Sequence, residues 1–520
     1  MVNVTYAESS HDLVATIDGD QVIYSKYESA SARPLLGKGH LSVDDHPCVD
    51  LGDMSWIIVA TALVWIMIPG LGFFYGGLLR RKSAVSMLWM AMVVSSIAFF
   101  QWFLWGFSLA FSQSSGNPFI GDLKYFAFVD VDIQPSTGGS TIPQLLYAIY
   151  QGMFAAITPV IACGAFADRA RLLPVMVFVF CWSTIVYNPI AYGTWNVGNG
   201  WMNKLGGLDF AGGTPVHISS GTAALAISIF LGRRKGYGTE ALAYRPHNVT
   251  YVILGTVLLW FGWNGFNGGS AIGANLRAVM AMTVTNIAAG TGGLAWMLWD
   301  YRLEKKWSAV GFCSGAISGL VAITPASGYV GAPAAVAFGV LGGTFCNLST
   351  ALKGVVGVDD SLDVFAAHAI GGLVGNVLTA FFADSRIASF DGSTPIPGGW
   401  INHNWIQLGY QLADSAFGLG WSFSITLILL FAIDRIPGLH FRCNEEDEVL
   451  GIDLGQVGEP AYFMLEDYEA ATHFVNASSS ESPAPPKSPS SLRGQESEKE
   501  GAEHLAEESR LPVQVPQTAA

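Results

Sequence analysis

The sequence predicts an all-α, multi-pass membrane fold of eleven transmembrane helices, with the N-terminus outside and the C-terminus cytoplasmic. Three observations predict it. Of 520 residues, 51% are hydrophobic and only 13% charged, with 60 glycines, which is too little charge to cover a soluble protein of this size. Apolar runs long enough to cross a bilayer recur along the chain. Basic residues collect in alternate loops, as the positive-inside rule requires.

The runs lie near 54–79, 84–112, 144–166, 174–192, 214–231, 249–269, 277–300, 308–324, 331–351, 364–383 and 407–434. One set of loops carries fifteen Lys and Arg, including Arg80-Arg81-Lys82, Arg169, Arg171 and Arg233-Arg234-Lys235. The opposite set carries four: Lys124, Lys204, Arg277 and Arg386. The first set is read as cytoplasmic. The chain then divides into an extracellular segment (1–52), the eleven-helix domain (53–436), a cytoplasmic region packing beneath it (437–478) and a disordered acidic Ser/Pro-rich tail (479–520).

The net charge of −14 belongs mostly to that tail, since residues 444–520 hold sixteen acidic side chains against four basic ones. No basic face suggests a nucleic-acid partner. The six cysteines are scattered without metal spacing and read as core residues. No basic segment followed by an apolar one opens the chain, so a cleaved signal peptide is not expected. Asn3-Val4-Thr5 is a glycosylation candidate on the outer side. Ser482 and Ser488, each before a proline, are phosphorylation candidates for a kinase acting on the tail.

The chain also repeats itself. PGLGFFYGGLL (69–79) in helix 1 resembles FGWNGFNGGSA (261–271) in helix 6. LDFAGGTPVH (208–217) leads into helix 5, and LDVFAAHA (362–369) leads into helix 10. Five helices is an odd number, so the second copy is inverted. Inverted five-plus-five repeats with a site at their interface are a transporter arrangement. Of ten histidines, only His217 and His368 fall within spans, at corresponding places in the halves. An ionisable residue at bilayer depth is costly and ordinarily functional.

Three uses of the pair remain open from the residues. Two imidazoles bonded edge to edge line a narrow path for small neutral polar molecules and relay protons. A zinc site, with Asp209 or Asp363 joining, lacks a third histidine or a cysteine nearby in sequence. An intramembrane enzyme lacks any Ser/His/Asp motif or paired carboxylates.

Several stretches resemble the ammonium transporter family (Amt/Mep/Rh). They include IPGLGFFYGGLLRRKSAVSML (68–88), FAAITPVIACGAFADR (154–169), LDFAGGTPVHISSG (208–221), GWNGFNGGSA (262–271) and VDDSLDVFAAHAIGG (358–372). The long N-terminal segment and NEEDEVLGIDLGQVGEPAY (444–462) resemble the fungal ammonium permease branch. The resemblance spans about residues 53–462. It implies an eleven-helix homotrimer with one pore per subunit, in the plasma membrane, serving nitrogen uptake. The cargo implied is ammonium or ammonia, with methylammonium as analogue, and no cofactor, metal or enzymatic activity.

The resemblance also implies roles. Trp195 and Ser270, with Phe154, match the outer recruitment site; Phe154 and Phe266 match the gate; His217 and His368 match the twin-histidine pore; Asp209 matches the structural acidic residue. An aromatic face and a hydroxyl attract a small cation. Two phenyl rings then oppose a charged ion, because desolvation there is costly. Losing a proton removes most of that cost, so ammonia passes the histidines while the proton follows by relay, making transport electrogenic. Potassium has no proton to lose.

The bland readings are an interface-belt role for Trp195, one of 16 tryptophans, ordinary core packing for the two phenylalanines, and an N-cap for Asp209. Asp414, in helix 11, is read as packing against hydroxyls of another helix. The branch keeps a histidine at the first pore position in its high-affinity members, and His217 is retained here. Some members also sense ammonium. The alternatives are therefore a receptor with little transport and a neutral NH3 gas channel.

Overall fold

The computed structural model describes residues 3–6, 12–17, 20–25, 49–239 and 246–462. Among the described residues, ten helices are long and apolar enough to cross a membrane. They are α1 (Leu51–Leu78), α2 (Arg81–Phe111), α3 (Gln144–Phe166), α4 (Leu172–Trp195), α5 (Gly213–Leu231), α6 (Val249–Gly269), α7 (Leu276–Glu304), α9 (Ala332–Val356), α10 (Phe365–Phe382) and α11 (Gln407–Asp434). Another apolar helix, α8 (Ala309–Ile323), is shorter at 15 residues. A short helix α12 (Glu445–Leu450) follows.

The helices start where polar caps allow. Asp50 accepts from the amides of Gly52 and Asp53 at 2.7 and 2.9 Å. Asn248, Asn275 and Ser308 cap α6, α7 and α8 in the same way. Among the described residues, strands occur only near the N-terminus, where β1 (Asn3–Tyr6), β2 (Asp12–Ile17) and β3 (Asp20–Ser25) form an antiparallel sheet. The sheet precedes the membrane region, which is all-helical as expected. The segments DLVATI and DQVIYS are rich in β-branched residues, and Asp18-Gly19 between them is a favoured hairpin link. Asn3 opens β1. Ser482, Ser488 and the whole of 463–520 lie outside the described residues.

Packing in the two halves corresponds. α1 lies against α2, α3 and α6; α6 lies against α7, α8 and α1. α2 touches α3 and α4, as α7 touches α8 and α9. α5 and α10 meet each other at the centre. The α1–α6 contact is backbone-close: a Cβ on Gly255 would sit 2.4 Å from the Phe74 nitrogen, and one on Gly77 would sit 2.7 Å from the Asn248 oxygen. α3 and α5 are almost wholly enclosed, while α9 and α11 present most of their length outward.

The RRK loops and the tail-side chain form one polar surface. Arg169 is fully buried and pairs with Asp359 at 3.0 Å; Arg234 pairs with Asp168 at 2.8 Å and with Asp359 at 2.9 Å. Burial alone would raise both carboxyls, but the arginines outweigh it and hold Asp168 and Asp359 below the usual range. Glu448 bonds Arg442 at 2.8 Å and the Lys235 amide at 2.6 Å, and Lys235 also meets Glu445. Asp453 accepts from the Val85 and Ser86 amides at the start of α2, at 3.0 and 2.7 Å. The acidic run thus engages only Lys235 of the 233–235 side chains. Arg233 bonds the Gly357 carbonyl, and Arg234 is taken by the buried aspartates.

Candidate functional site

Five helices bring the candidate site residues together. Phe154 comes from α3 and Phe266 from α6, Trp195 ends α4, and Ser270 follows α6 directly. His217 and His368 come from α5 and α10.

The Phe154 and Phe266 rings are both buried, 4.2 Å apart between centroids and tilted by 40°. Trp195 stands edge-on to Phe154 at 5.9 Å and donates its Nε1–H to the Asp209 carbonyl at 3.0 Å. Ser270 Oγ donates to the Phe266 carbonyl at 2.8 Å, which leaves its lone pairs able to accept. Tyr150 backs this corner, donating to the Phe266 carbonyl at 2.9 Å and lying 3.3 Å from Ser270 Oγ.

Below the phenyl pair, the His217 ring lies nearly parallel to Phe266 at 6.1 Å and to Trp263 at 5.4 Å. His217 Nδ1 and His368 Nδ1 are 3.2 Å apart. One ring must donate and the other accept, so two neutral imidazoles here carry opposite tautomers. His217 Nε2 is buried without a hydrogen-bond partner among the described residues. A narrow cavity runs past both rings, and its other lining side chains are apolar, among them Met67, Leu71, Ile161, Leu259 and Ile317.

Local backbone explains how the histidines are held. Each lies in a π-helical turn, Gly213–Ile218 and Phe365–Ile370, that opens its helix. An aspartate caps each turn. Asp209 accepts from the Gly212, Gly213 and Thr214 amides at 2.8, 2.8 and 2.7 Å. Burial raises its carboxyl while those three amides oppose the rise. Asp360 accepts from the Phe365 amide at 2.9 Å. Each aspartate stands eight positions before its histidine.

That spacing corrects the sequence pairing of Asp209 with Asp363. Asp363 instead pairs with Lys353 at 2.7 Å, at a positive φ of 55°. Burial pushes its carboxyl up to about 6, with Lys353 opposing. Asp360 is the structural counterpart of Asp209. Sequence reasoning also missed Trp263 and Tyr150, whose signals were weak: positions three before Phe266 and four before Phe154, on the same helix faces. Asp414 meets the hydroxyl of Thr214, as expected.

The geometry has close relatives. The family model described as Ammonium Transporter Family matches residues 55–462. Ammonium transporter 1 of Schizosaccharomyces pombe is 55% identical over 428 residues, covering 82% of this chain and 85% of that one. Ammonium transporter MEP2 of Saccharomyces cerevisiae is 49% identical, covering 82% and 86%. The crystal structure of Candida albicans Mep2 superposes with a TM-score of 0.74 at 50% identity, covering 81% of this chain and 93% of that one.

Proposed function

The chain belongs to the ammonium transporter family, a family of membrane transporters rather than enzymes, and from that premise we propose that it imports ammonium across the plasma membrane by stripping its charge at a phenyl gate. The observation that carries the reading is the succession of ring contacts from Trp195 to Phe154, Phe154 to Phe266 and Phe266 to the bonded histidines, with a narrow apolar cavity beside the histidines.

Ammonium is held first at the Trp195 ring and the Ser270 hydroxyl, by cation–π attraction and one hydrogen bond. The Asp209 carboxylate, whose backbone carbonyl is tied to Trp195, adds a negative charge nearby without an ion pair among the described residues. The paired phenyl rings leave an ion no polar partner, so a cation passing them intact loses its hydration uncompensated. Ammonium lowers that cost by giving up a proton. Neutral ammonia then needs one donor or acceptor at each step, and the bare ring nitrogen of His217 supplies one. The histidine pair moves the proton separately, which makes transport electrogenic.

Eleven spans fit the structure if α8 crosses with help from its flanking turns; the N-terminus is then outside and residues 437–462 lie on the cytoplasmic side. A trimer with one pore per subunit accounts for the outward apolar faces of α6, α7 and α9. Ser482 and Ser488 are the proposed kinase sites, and a sensing role would add to transport without replacing it.

Current across a bilayer holding the purified protein tests this, on adding ammonium and then potassium, with His217→Ala plus His368→Ala as comparison. Ammonium-specific current that shrinks, or loses selectivity over potassium, in the double variant is expected. Ammonia flux without current would replace the reading by a neutral gas channel, and neither signal would leave a receptor.

A further inference from the structure

α11 has no counterpart in either five-helix half, yet one face of it is polar and buried. Gln407 donates to the Gly206 carbonyl at 3.0 Å; Gln411 bonds the Leu208 amide and carbonyl at 2.8 and 2.7 Å; Ser422 donates to the Ser219 carbonyl at 2.6 Å. Their spacing follows one helix face. That face therefore follows the whole segment from Gly206 to Ser219, which contains Asp209 and His217.

Asp414 sits at the middle of this face and is 1% exposed. Its Oδ2 meets the Thr214 hydroxyl and lies 3.4 Å from Asn376 Nδ2 of α10. Asn376 also donates to Thr214 Oγ1 at 2.8 Å and to Ser415 Oγ at 3.0 Å. Asp414 Oδ1 is buried without a partner among the described residues, and no Lys or Arg pairs with this carboxyl there. The same residue, Thr214, gives its amide to Asp209 at 2.7 Å. Two carboxyls therefore flank one threonine with no cation between them.

An ionised carboxylate in that position would carry a buried oxygen with no donor, beside another negative charge. A protonated acid removes the second cost and lessens the first, because a neutral carbonyl oxygen without a donor is cheaper to bury than a charged one, and its O–H can donate to the Thr214 hydroxyl. It also leaves Asp209 as the charged member of the two carboxyls that flank Thr214, so a cation is attracted without being held between two. We propose that Asp414 stands as a neutral carboxylic acid and is a positioning residue, fastening Thr214, and with it the turn that carries His217, to α10 and α11. The transport consequence rests on the reading above; the protonation state does not.

Infrared spectra of the whole protein in lipid test the state directly. A carbonyl band of a protonated carboxylic acid is expected in the wild type and absent in Asp414→Asn. Identical spectra would overturn the neutral acid, whatever the protein transports. Ammonium current tests the positioning role. Asp414→Asn, neutral and of the same shape, is expected to keep the wild-type half-saturation and maximal current. Asp414→Leu is expected to lower the maximal current on the order of tenfold, as displaced reactive groups do, with half-saturation little changed. Ser415→Ala, a milder loss at the same anchor, is expected to fall between them. An Asn variant as impaired as the Leu variant would mean that the charge itself is needed. Unchanged current in the Leu and Ala variants would mean that the cluster positions nothing.

Discussion

The two histidine turns are built alike and surrounded differently. α5 and α10 each open with a π-helical turn, a capping aspartate and a histidine eight positions on. Around Asp209 stand three backbone amides, an indole on its carbonyl and the polar face of α11. Around Asp360 stand cations: Lys353 reaches its carbonyl at 3.4 Å, and Arg169 and Arg234 bind the adjacent Asp359. The repeated backbone thus carries different electrostatics at its two ends. On the function proposed above, the Trp195 side gathers a small cation, while the tail side, whose carboxylates are neutralised by fixed arginines, offers a leaving cargo no trap.

The comparison can be broken from either side. The largest effect is expected at the tail-side mouth, where Arg169→Ala leaves Asp359 buried with one cation fewer. A cost of about 3–5 kcal/mol is expected for breaking a buried pair, read as a lowered Tm of the protein in detergent. Asp209→Ala follows at about 2–4 kcal/mol, because three buried amides lose their acceptor. Asp360→Ala should cost less, about 1–2 kcal/mol, since Asp360 caps mainly the Phe365 amide. Equal losses for the two aspartates would show that the turns are held alike after all. Trp195→Leu sharpens the outer half of the contrast: half-saturating ammonium should rise about tenfold, the order of one cation–π contact, with Tm lowered only by the loss of one hydrogen bond, about 1 kcal/mol. The smallest effect is Lys235→Ala, whose partner Glu445 is exposed; no measurable change in Tm is expected from that surface pair.

Much of this was legible in the sequence, and the gaps have physical causes. Hydropathy located every long helix to within a few residues, because a bilayer leaves few ways to satisfy the backbone. His217 and His368 stood out because buried ionisable groups are rare among apolar residues. Asp360 was missed because the Leu-Asp pair at 362–363 resembles the one at 208–209, whereas the structure conserves distance to the histidine. Trp263 and Tyr150 were invisible among 16 tryptophans and 17 tyrosines; only packing distinguishes a ring that faces the path. The N-terminal sheet carried a hairpin signal at Asp18-Gly19 that the much stronger membrane pattern overshadowed. The α11 face was unreadable as a whole, since Gln407, Gln411 and Ser422 acquire meaning only from the backbone groups they meet.

The central claim is that one mouth collects the cation and the other does not. Half-saturating ammonium for transport current, compared between Asp209→Asn and Asp360→Asn in the same bilayers, tests it most directly. The expected result is a severalfold rise for Asp209→Asn, with half-saturation unchanged for Asp360→Asn even if its maximal current falls. Equal rises in both, or a rise confined to Asp360→Asn, would contradict it.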